Sequence, residues 1–254
     1  MSEAVLKLSG IQHSFPGGAG QVLSPLDLDI PTGQFLTFLG PSGSGKSTIL
    51  RIVAGLLKAT SGQVQEKGNL CKKAFVFQDA ELLPWRNVLD NAALPLEIQG
   101  VDLDDRRKAA QTVLQDLGLG DSLSLYPSQL SGGMKMRVSL ARALVTQPDL
   151  LLMDEPFAAL DEVIRFRLAE HLREIWLKCN RSGKPLTVLF VTHSMTEAVF
   201  LSQRILVLSS KPARVLLDHT VGISESRDQA TRADPAFARE VHQIYSVFQK
   251  AGEA

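Results

Sequence analysis

The sequence has no excess of charge of either sign, since 27 Lys and Arg are balanced by 27 Asp and Glu in 254 residues. This balance argues against a polycationic nucleic-acid binder, which would meet phosphates with surplus basic side chains. Apolar runs are short, and none approaches the roughly 18–20 residues that a helix needs to cross a bilayer. We therefore expect neither a nucleic-acid partner nor a membrane-spanning segment.

Neither a paired-cysteine motif nor a leader sequence is predicted. Cys71 and Cys179 form no C-x-x-C motif, which argues against a disulfide framework or a zinc ribbon and favours a reducing compartment. The acidic start at Glu3 has no apolar segment behind it, so no secretory signal is predicted. A dinucleotide-type G-x-G-x-x-G is absent as well, and a Rossmann oxidoreductase gains no support.

What is present is an alternation of apolar strands and helical patterns. Continuous apolar runs of five or six residues predict buried strands, and helical spacing follows several of them. This pattern predicts a parallel α/β core behind a strand-rich start, with a helical insert. Strands are predicted at 35–39, 74–77, 150–153, 187–191, 204–208 and 213–217, and helices within 102–143, at 163–179 and at 235–250.

The strongest motif is G-x-x-x-x-G-K-[ST] at residues 40–47, between a predicted strand and a predicted helix. Glycines let successive backbone N–H groups face an anion, and the N-terminus of the helix adds its positive dipole. Lys46 supplies a charge for β- and γ-phosphates, and the Ser47 hydroxyl is a ligand for Mg²⁺. The alternative is a glycine-rich turn without a ligand. The predicted phosphate-binding set is Gly40, Pro41, Ser42, Gly43, Ser44, Gly45, Lys46, Ser47 and Thr48.

A second motif is the apolar run 150–153 that ends in Asp154 and Glu155. A carboxylate at such a strand end can hold Mg²⁺, and Asp154 fits this role. The next carboxylate can polarise an attacking water as a general base, and Glu155 fits that role. The alternative is a solvated acidic pair before a turn at Pro156.

These motifs, together with the segment Leu130-Ser131-Gly132-Gly133-Met134, resemble the ATP-binding cassette (ABC) ATPases. The resemblance covers about residues 5–220. It implies an α/β fold, a P-loop NTPase cassette with a RecA-like parallel-sheet core, an N-terminal antiparallel β subdomain and an inserted α-helical subdomain. The resemblance implies a single domain of residues 1–254. In it, the core and the β subdomain comprise about residues 1–85 and 148–220, the helical subdomain about residues 86–147, and the C-terminal tail residues 221–254.

The resemblance also implies a role for each matching residue. Two chains would meet head to tail, so that the phosphate loop of one and residues Ser131, Gly132 and Gly133 of the other enclose ATP. Phe15 would stack on adenine beside Val22; the alternative is that Phe15 is a core side chain. The remaining implied roles are Gln78 as a ligand of Mg²⁺ and water, His193 as the γ-phosphate contact that orients water, and Asp161 in the loop that crosses the dimer interface. The implied catalytic set is Glu155, His193, Gln78 and Lys46, with ATP and Mg²⁺ as cofactors.

Two positions depart from the family pattern. Ala159 stands where serine is more usual, and Met136 occupies a position where Gln or Arg is more common. We expect these departures to affect local packing at the interface and not ATP binding.

Within the family, the stretch at residues 82–91 resembles the importers of nitrate, sulfonate and taurine, whose relatives also carry thiamine-precursor pyrimidines. A chain of this length has no room for a fused membrane domain, so we expect a stand-alone ATPase homodimer, cytoplasmic and peripheral on the inner face of the membrane. Its partners would be transmembrane permease subunits and, indirectly, an extracytoplasmic solute-binding protein. Trp85 would border the permease groove, or else cap the core of the helical insert.

Two alternatives to an importer ATPase remain open at this stage. The first is a cytosolic, non-transport ABC ATPase that acts as a mechanical or interaction module. The second is a degenerate partner that binds nucleotide without hydrolysing it, which the intact Lys46, Glu155 and His193 disfavour.

Overall fold

A computed structural model describes residues 4–15, 20–66, 68 and 72–252. The chain divides into two compact units. The first unit comprises Met1–Cys71 and Trp176–Ala254, and the second comprises Lys72–Ile175. One boundary between the units falls inside a long helix, after Ile175.

The first unit contains two groups of strands. Its strands are β1 (Ala4–Ser14), β2 (Gln21–Pro31), β3 (Phe35–Leu39), β4 (Ser61–Glu66), β7 (Thr187–Thr192), β8 (Arg204–Leu208) and β9 (Val215–Thr220). One group is an antiparallel sheet with the order β2-β1-β4. The other has the order β7-β3-β8-β9, in which β3 is parallel to β7 and β8 and β9 is antiparallel to β8. The helices of this unit are α1 (Lys46–Val53), α6 (Met195–Leu201) and α7 (Pro235–Gly252).

The burial of these strands follows from their sequences. Every residue of β3 and β7 is buried, as continuous apolar strands covered on both faces require. In β2 buried and exposed residues alternate over much of its length, which is the pattern of a strand with one wet face. Phe35 lies at the centre of the core, with its ring 5.9 Å from that of Trp176 and 6.1 Å from that of Phe190.

The second unit combines a parallel strand pair with helices. β5 (Lys73–Val76) pairs in parallel with β6 (Leu150–Asp154). α2 (Val88–Ile98) packs against α3 (Leu103–Asp116) and α4 (Gly132–Leu144), and α5 (Glu162–Arg181) begins in this unit. Polar side chains cap the first three helices: Asn87 accepts from Asp90 N–H, Asp102 from Asp104 N–H, and Ser131 from Met134 N–H.

Most of the predicted elements are confirmed. The strands predicted at 35–39 and 204–208 have the predicted bounds, and the helix predicted at 163–179 is the middle of α5. The strand predicted at 213–217 starts later, at Val215, because Ala213 N–H donates to the Val22 carbonyl 2.9 Å away instead of joining the β8 ladder. Helical structure begins at Val88, earlier than the 102–143 segment in which the sequence pattern predicts helices.

Several predictions lie outside what the structure tests. Most of the glycine-rich turn at residues 16–20 and Cys71 lie outside the described residues, whereas Cys179 is described and is a free thiol. The division into core, helical and tail segments stays a prediction. Within the described part of the chain, the structure contains no helix whose length and hydropathy would let it cross a membrane.

Candidate functional site

The phosphate loop folds around its own lysine. Lys46 is 3% exposed, and its Nζ donates to the carbonyl oxygens of Gly40 at 2.9 Å and Pro41 at 2.8 Å. Nζ also lies 3.5 Å from Ser44 Oγ. Carbonyl and hydroxyl oxygens thus orient the buried Lys46 ammonium at the start of α1.

Two glycines give this loop its shape. Gly43 and Gly45 have φ values of 76° and 86°, a region that glycine adopts without steric cost. Gly45 is the N-cap of α1, and the first turn of that helix carries no acidic residue. A Cβ on Gly40 would lie 2.9 Å from Ser44 Oγ and 3.0 Å from the Leu208 carbonyl oxygen, so a side chain there would not fit. The loop therefore fits an anion such as a phosphate group.

Val22 and Phe15 lie in the same unit as this loop. Val22 is buried, and a Cβ on Gly45 would approach its Cγ1 and its carbonyl oxygen to 3.3 Å, which places Val22 directly beside the loop. Phe15 is 43% exposed, and its ring meets the ring of His13 edge to face with 4.6 Å between centroids. Phe15 is thus not a core side chain. Its stacking on adenine stays a prediction.

His193 is exposed on the turn between β7 and α6, and a short network fixes the residues on either side of it. Ser194 N–H donates to Thr192 Oγ1 at 3.0 Å, and the Thr192 hydroxyl donates to the carboxylate of Glu197. Glu197 N–H in turn donates to Ser194 Oγ at 3.3 Å. Glu197 is only 6% exposed, and the Thr192 hydroxyl gives its buried carboxylate a hydrogen-bond partner.

In the second unit, the two carboxylates that follow β6 differ in their surroundings. Asp154 is the last residue of β6 and is buried, whereas Glu155 is partly exposed and has φ of 46°. A non-glycine residue in this left-handed region is uncommon, and such strain concentrates at functional sites. The turn is closed by Ala158 N–H, which donates to the Glu155 carbonyl at 3.1 Å.

The signature residues form the start of α4. Ser131 and Gly132 are exposed, whereas Gly133 is buried against α5, where a Cβ would come 2.4 Å from Ile164 Cγ2. Asp161 caps the other helix of this contact, because its Oδ1 accepts from Ile164 N–H at 3.0 Å. Gly133 thus permits the close approach of the α4 and α5 N-termini.

Gln78 is exposed two residues after β5, and an arginine from α4 holds the segment that follows it. Arg142 donates to the carbonyl oxygens of Ala80 and Glu81, each at 2.8 Å. Burial lowers the pKa of the Arg142 guanidinium, an effect that the charge of Glu81 partly opposes. α4 therefore links the signature residues at its start to the segment after Gln78.

Trp85 is 70% exposed, so it does not cap the core of the helices. Its segment is nevertheless held by hydrogen bonds and an ion pair. The buried Asn91 amide donates to the carbonyl oxygens of Leu83, Arg86 and Asn87 and accepts from Leu83 N–H. Arg86 also makes a two-pronged ion pair with Glu97, at 2.7 and 3.0 Å. The structure thus presents Trp85 on a fixed loop.

The predicted site residues fall into two groups. The first unit holds Phe15, Val22, residues 40–48 and His193, and the second holds Gln78, residues 131–133, Asp154, Glu155 and Asp161. Sequence reasoning missed the supporting residues Thr192, Glu197 and Arg142. The S-x-x-E spacing of Ser194 and Glu197, a capping-box signature, was the signal that could have revealed the first two.

The candidate ligands of a metal are all oxygen donors. The Ser47 hydroxyl, the Gln78 amide and the Asp154 carboxylate are of the type that Mg²⁺ prefers, and Mg²⁺ usually completes its shell with water and substrate phosphates. Among residues 4–15, 20–66, 68 and 72–252, no three His, Cys, Asp or Glu side chains are grouped as metal ligands. Each of these side chains, taken by itself, is of a donor type that fits Mg²⁺.

Comparison with known proteins agrees with this geometry. Residues 23–158 match the family described as ABC transporter. The aliphatic sulfonates import ATP-binding protein SsuB of Mycobacterium sp. (strain MCS) is 44% identical over 93% of this chain and 91% of its own length. The taurine import ATP-binding protein TauB of Rhizobium johnstonii is 39% identical over 96% of both chains. The nitrate import ATP-binding protein NrtD of Synechocystis sp. is 37% identical over 96% of this chain and 95% of its own.

A solved structure is similar over most of the fold. The dimeric, post-hydrolysis state of the ATP-binding cassette MJ0796, bound to ADP and Pi, superposes with a TM-score of 0.73 at 31% identity and covers 86% of this chain and all of its own. The chain therefore belongs to the ABC transporter family, and its fold is that of the ABC cassette. It is an ABC-type ATPase that binds ATP. The predicted family and fold class are confirmed.

The contact between Gly133 and Ile164 gives a prediction about stability. We expect Gly133→Ala to lower the free energy of unfolding by about 1–3 kcal/mol, because the added methyl overpacks the contact between the helices. Gly132→Ala is the matched control, since its Cβ would lie 3.6 Å from Leu160 Cδ2, an ordinary contact. Urea denaturation of both variants measures the difference.

The same prediction is tested by a second substitution, at Ile164, that removes the overpacked contact. Ile164→Ala should cost less in the Gly133→Ala background than in the wild type, because the two changes share one contact. The contact with Ile164 would not account for the glycine at position 133 if Gly133→Ala and Gly132→Ala lost equal free energies of unfolding and the effect of Ile164→Ala were additive.

Proposed function

We propose that this chain is the energy-coupling ATPase of a bacterial importer of a small solute of the nitrate, sulfonate, taurine or thiamine-precursor type. The observation that carries the proposal is the buried Lys46 ammonium, held by the loop whose backbone fits a phosphate. The names of the relatives, which are import ATP-binding proteins for sulfonates, taurine and nitrate, support the direction of transport. They differ in solute, so the solute is proposed only as a class.

In this proposal the loop and its neighbours bind the nucleotide. Residues 40–48 hold the β- and γ-phosphates, with Lys46 as the charge and Ser47 as a ligand of Mg²⁺. Phe15 stacks on adenine with its exposed face, beside Val22. His193 contacts the γ-phosphate and orients the attacking water.

The second group of residues completes the chemistry. Bound Mg²⁺ would neutralise charge that develops on the phosphates, and Asp154 and Gln78 would serve as further ligands. Glu155 accepts a proton from the attacking water as general base. Asp154 is buried whereas Glu155 is partly exposed and has a left-handed backbone, and this difference in surroundings supports separate roles for the two.

We further propose that two copies enclose ATP head to tail. Ser131, Gly132 and Gly133 of one copy would contact the nucleotide held by the phosphate loop of the other, with Asp161 at the interface. The exposure of Ser131 and Gly132 at the N-terminus of α4 supports this, because a hydroxyl and free N–H groups bind anions. The dimeric state of the cassette MJ0796 supports it as well.

The permease partner is proposed from the surface around Trp85. An exposed tryptophan on a loop fixed by Asn91 and by the Arg86–Glu97 pair is a pre-organised anchor of the kind that dominates protein interfaces. The chain would act on the inner face of the membrane, bound to transmembrane permease subunits. An extracytoplasmic solute-binding protein would complete the system without touching this chain.

The role of Glu155 predicts a separation of binding from hydrolysis. Glu155→Gln should keep ATP affinity but lower kcat by at least about 100-fold, because the general base is lost while the phosphate contacts remain. Lys46→Ala should instead weaken ATP binding itself. Equilibrium ATP binding and steady-state phosphate release are the measurements. Normal turnover of Glu155→Gln would remove Glu155 from the chemistry.

The surface around Trp85 gives a second prediction. Trp85→Ala should abolish co-purification of permease subunits in detergent while the ATPase activity of the isolated chain stays unchanged. Ile98→Ala is the matched control, because Ile98 is 78% exposed and belongs to the same unit. The non-transport alternative would be supported if no permease co-purifies with the wild-type chain and nucleic acid stimulates its ATPase activity.

A further inference from the structure

The C-terminal segment reaches the helix that follows His193. Arg227 lies in this segment and is 7% exposed, with its guanidinium at the end of α6. Its Nη1 donates to the carbonyl oxygens of Val199, Phe200 and Ser202 at 2.7, 3.1 and 2.8 Å. These are carbonyls at the C-terminus of a helix, which lack partners within it and favour a cation.

The rest of the guanidinium is also held in place. Nε donates to the Ser224 carbonyl at 2.7 Å, so Arg227 joins its own segment to α6. Burial lowers the pKa of Arg227 to about 10, which leaves it charged at neutral pH. This buried guanidinium donates to four carbonyl oxygens, three at the end of α6 and one of Ser224. Moving it would cost free energy, because each oxygen would lose this hydrogen bond.

Other contacts fix the segment on the same helix. The Arg232 guanidinium lies 4.2 Å from the centre of the Phe200 ring, within the range of a cation–π contact. α7 packs against α6, with Phe237 and Ile244 buried. Glu240 of α7 accepts from Gly222 N–H at 3.0 Å and pairs with His219 of β9 at 2.6 Å.

α6 is thus held at both ends. At its start, the Thr192 hydroxyl and the Glu197 carboxylate fix the turn that contains His193, and at its end Arg227 binds its last carbonyls. A helix of seven residues is about 10 Å long, so about two turns of hydrogen-bonded backbone join the Arg227 end to the turn of His193.

We propose that the C-terminal segment, through Arg227 and α6, positions His193 for ATP hydrolysis, with Thr192 and Glu197 as the positioning residues at the near end. None of these three side chains is assigned a contact with the nucleotide. The inference rests on the proposed role of His193. It adds a function for residues 221–252, which the proposed chemistry does not use.

A positioning role predicts a loss of kcat without a loss of ATP binding. Arg227→Met should lower kcat about tenfold and leave KM for ATP within about twofold, because small misplacements cost rate more than affinity. Arg227→Lys should restore most of kcat, since an ammonium can still donate to the carbonyl oxygens of Val199, Phe200 and the C-cap residue Ser202. The measurements are steady-state hydrolysis and equilibrium ATP binding, with thermal unfolding to quantify folded protein.

Arg204→Met is the matched control. Arg204 is a partly buried arginine of the same unit, and it donates to both carboxylate oxygens of Asp218 and to the Asp29 carbonyl, none of which lies in α6. We expect this variant to lose thermal stability and to keep kcat. Equal losses of kcat in the two variants would reduce Arg227 to a stabilising residue and overturn the proposal.

The near end is tested by one variant that keeps the hydroxyl of Thr192 and one that replaces this hydroxyl by a methyl group. Thr192→Ser keeps the donor to Glu197 and should retain kcat, whereas Thr192→Val removes it at nearly the same volume and should lower kcat about tenfold. This pair keeps the proposal testable even if Arg227→Met does not fold. Unchanged kcat in Thr192→Val would contradict it.

Combination with His193→Ala separates this inference from the proposed function. If Arg227 and Thr192 act through His193, Arg227→Met and Thr192→Val should lower kcat no further in the His193→Ala background. Additive losses would contradict positioning. If His193→Ala alone keeps full hydrolysis, then the role of His193 itself is wrong. If His193→Ala loses activity while Arg227→Met and Thr192→Val keep it, then the proposed role of His193 is retained and the positioning inference is wrong.

Discussion

The hydrogen bonds from the Lys46 ammonium to the carbonyl oxygens of its own loop are the interaction on which the proposed binding of phosphate depends. They hold the ammonium, 3% exposed, beside the N-terminus of α1. Because the sequence carries no net charge, the proposal rests on this local group and not on the overall charge of the chain. The glycines of the loop allow the backbone to supply the remaining N–H donors.

Buried or partly buried charged side chains with hydrogen-bond partners also hold the backbone segments next to His193 and Gln78, two other residues of the proposed site. The Glu197 carboxylate fixes the turn of His193 through the Thr192 hydroxyl, and Arg142 ties α4 to the segment after Gln78. Leaving such groups without partners would cost about 1–3 kcal/mol each. These residues therefore stabilise the unit in which they lie and also orient a neighbour that is proposed to act on ATP.

The sequence predicts the parts of this protein in which the local pattern determines the structure. β3 and β7 are continuous apolar runs, and the phosphate loop is a short motif whose conformation depends on its own glycines. β4 was missed because its residues are mostly polar, and α6 because seven residues give no clear periodicity. The contact of Gly133 with Ile164 joins residues of two separate helices. The hydrogen bonds of Arg227 to α6 likewise link distant positions, so neither contact leaves a local signal.

The central claim is that each nucleotide is held by the phosphate loop of one chain and by Ser131 of another. Mixing two defective chains tests it, one with Lys46→Ala and one with Ser131→Arg, both also carrying Glu155→Gln to prevent turnover. In a head-to-tail pair, both defects fall in one site and the other site is intact. Sedimentation with ATP should show a dimer only in the mixture. A dimer in either variant alone, or none in the mixture, would contradict the claim.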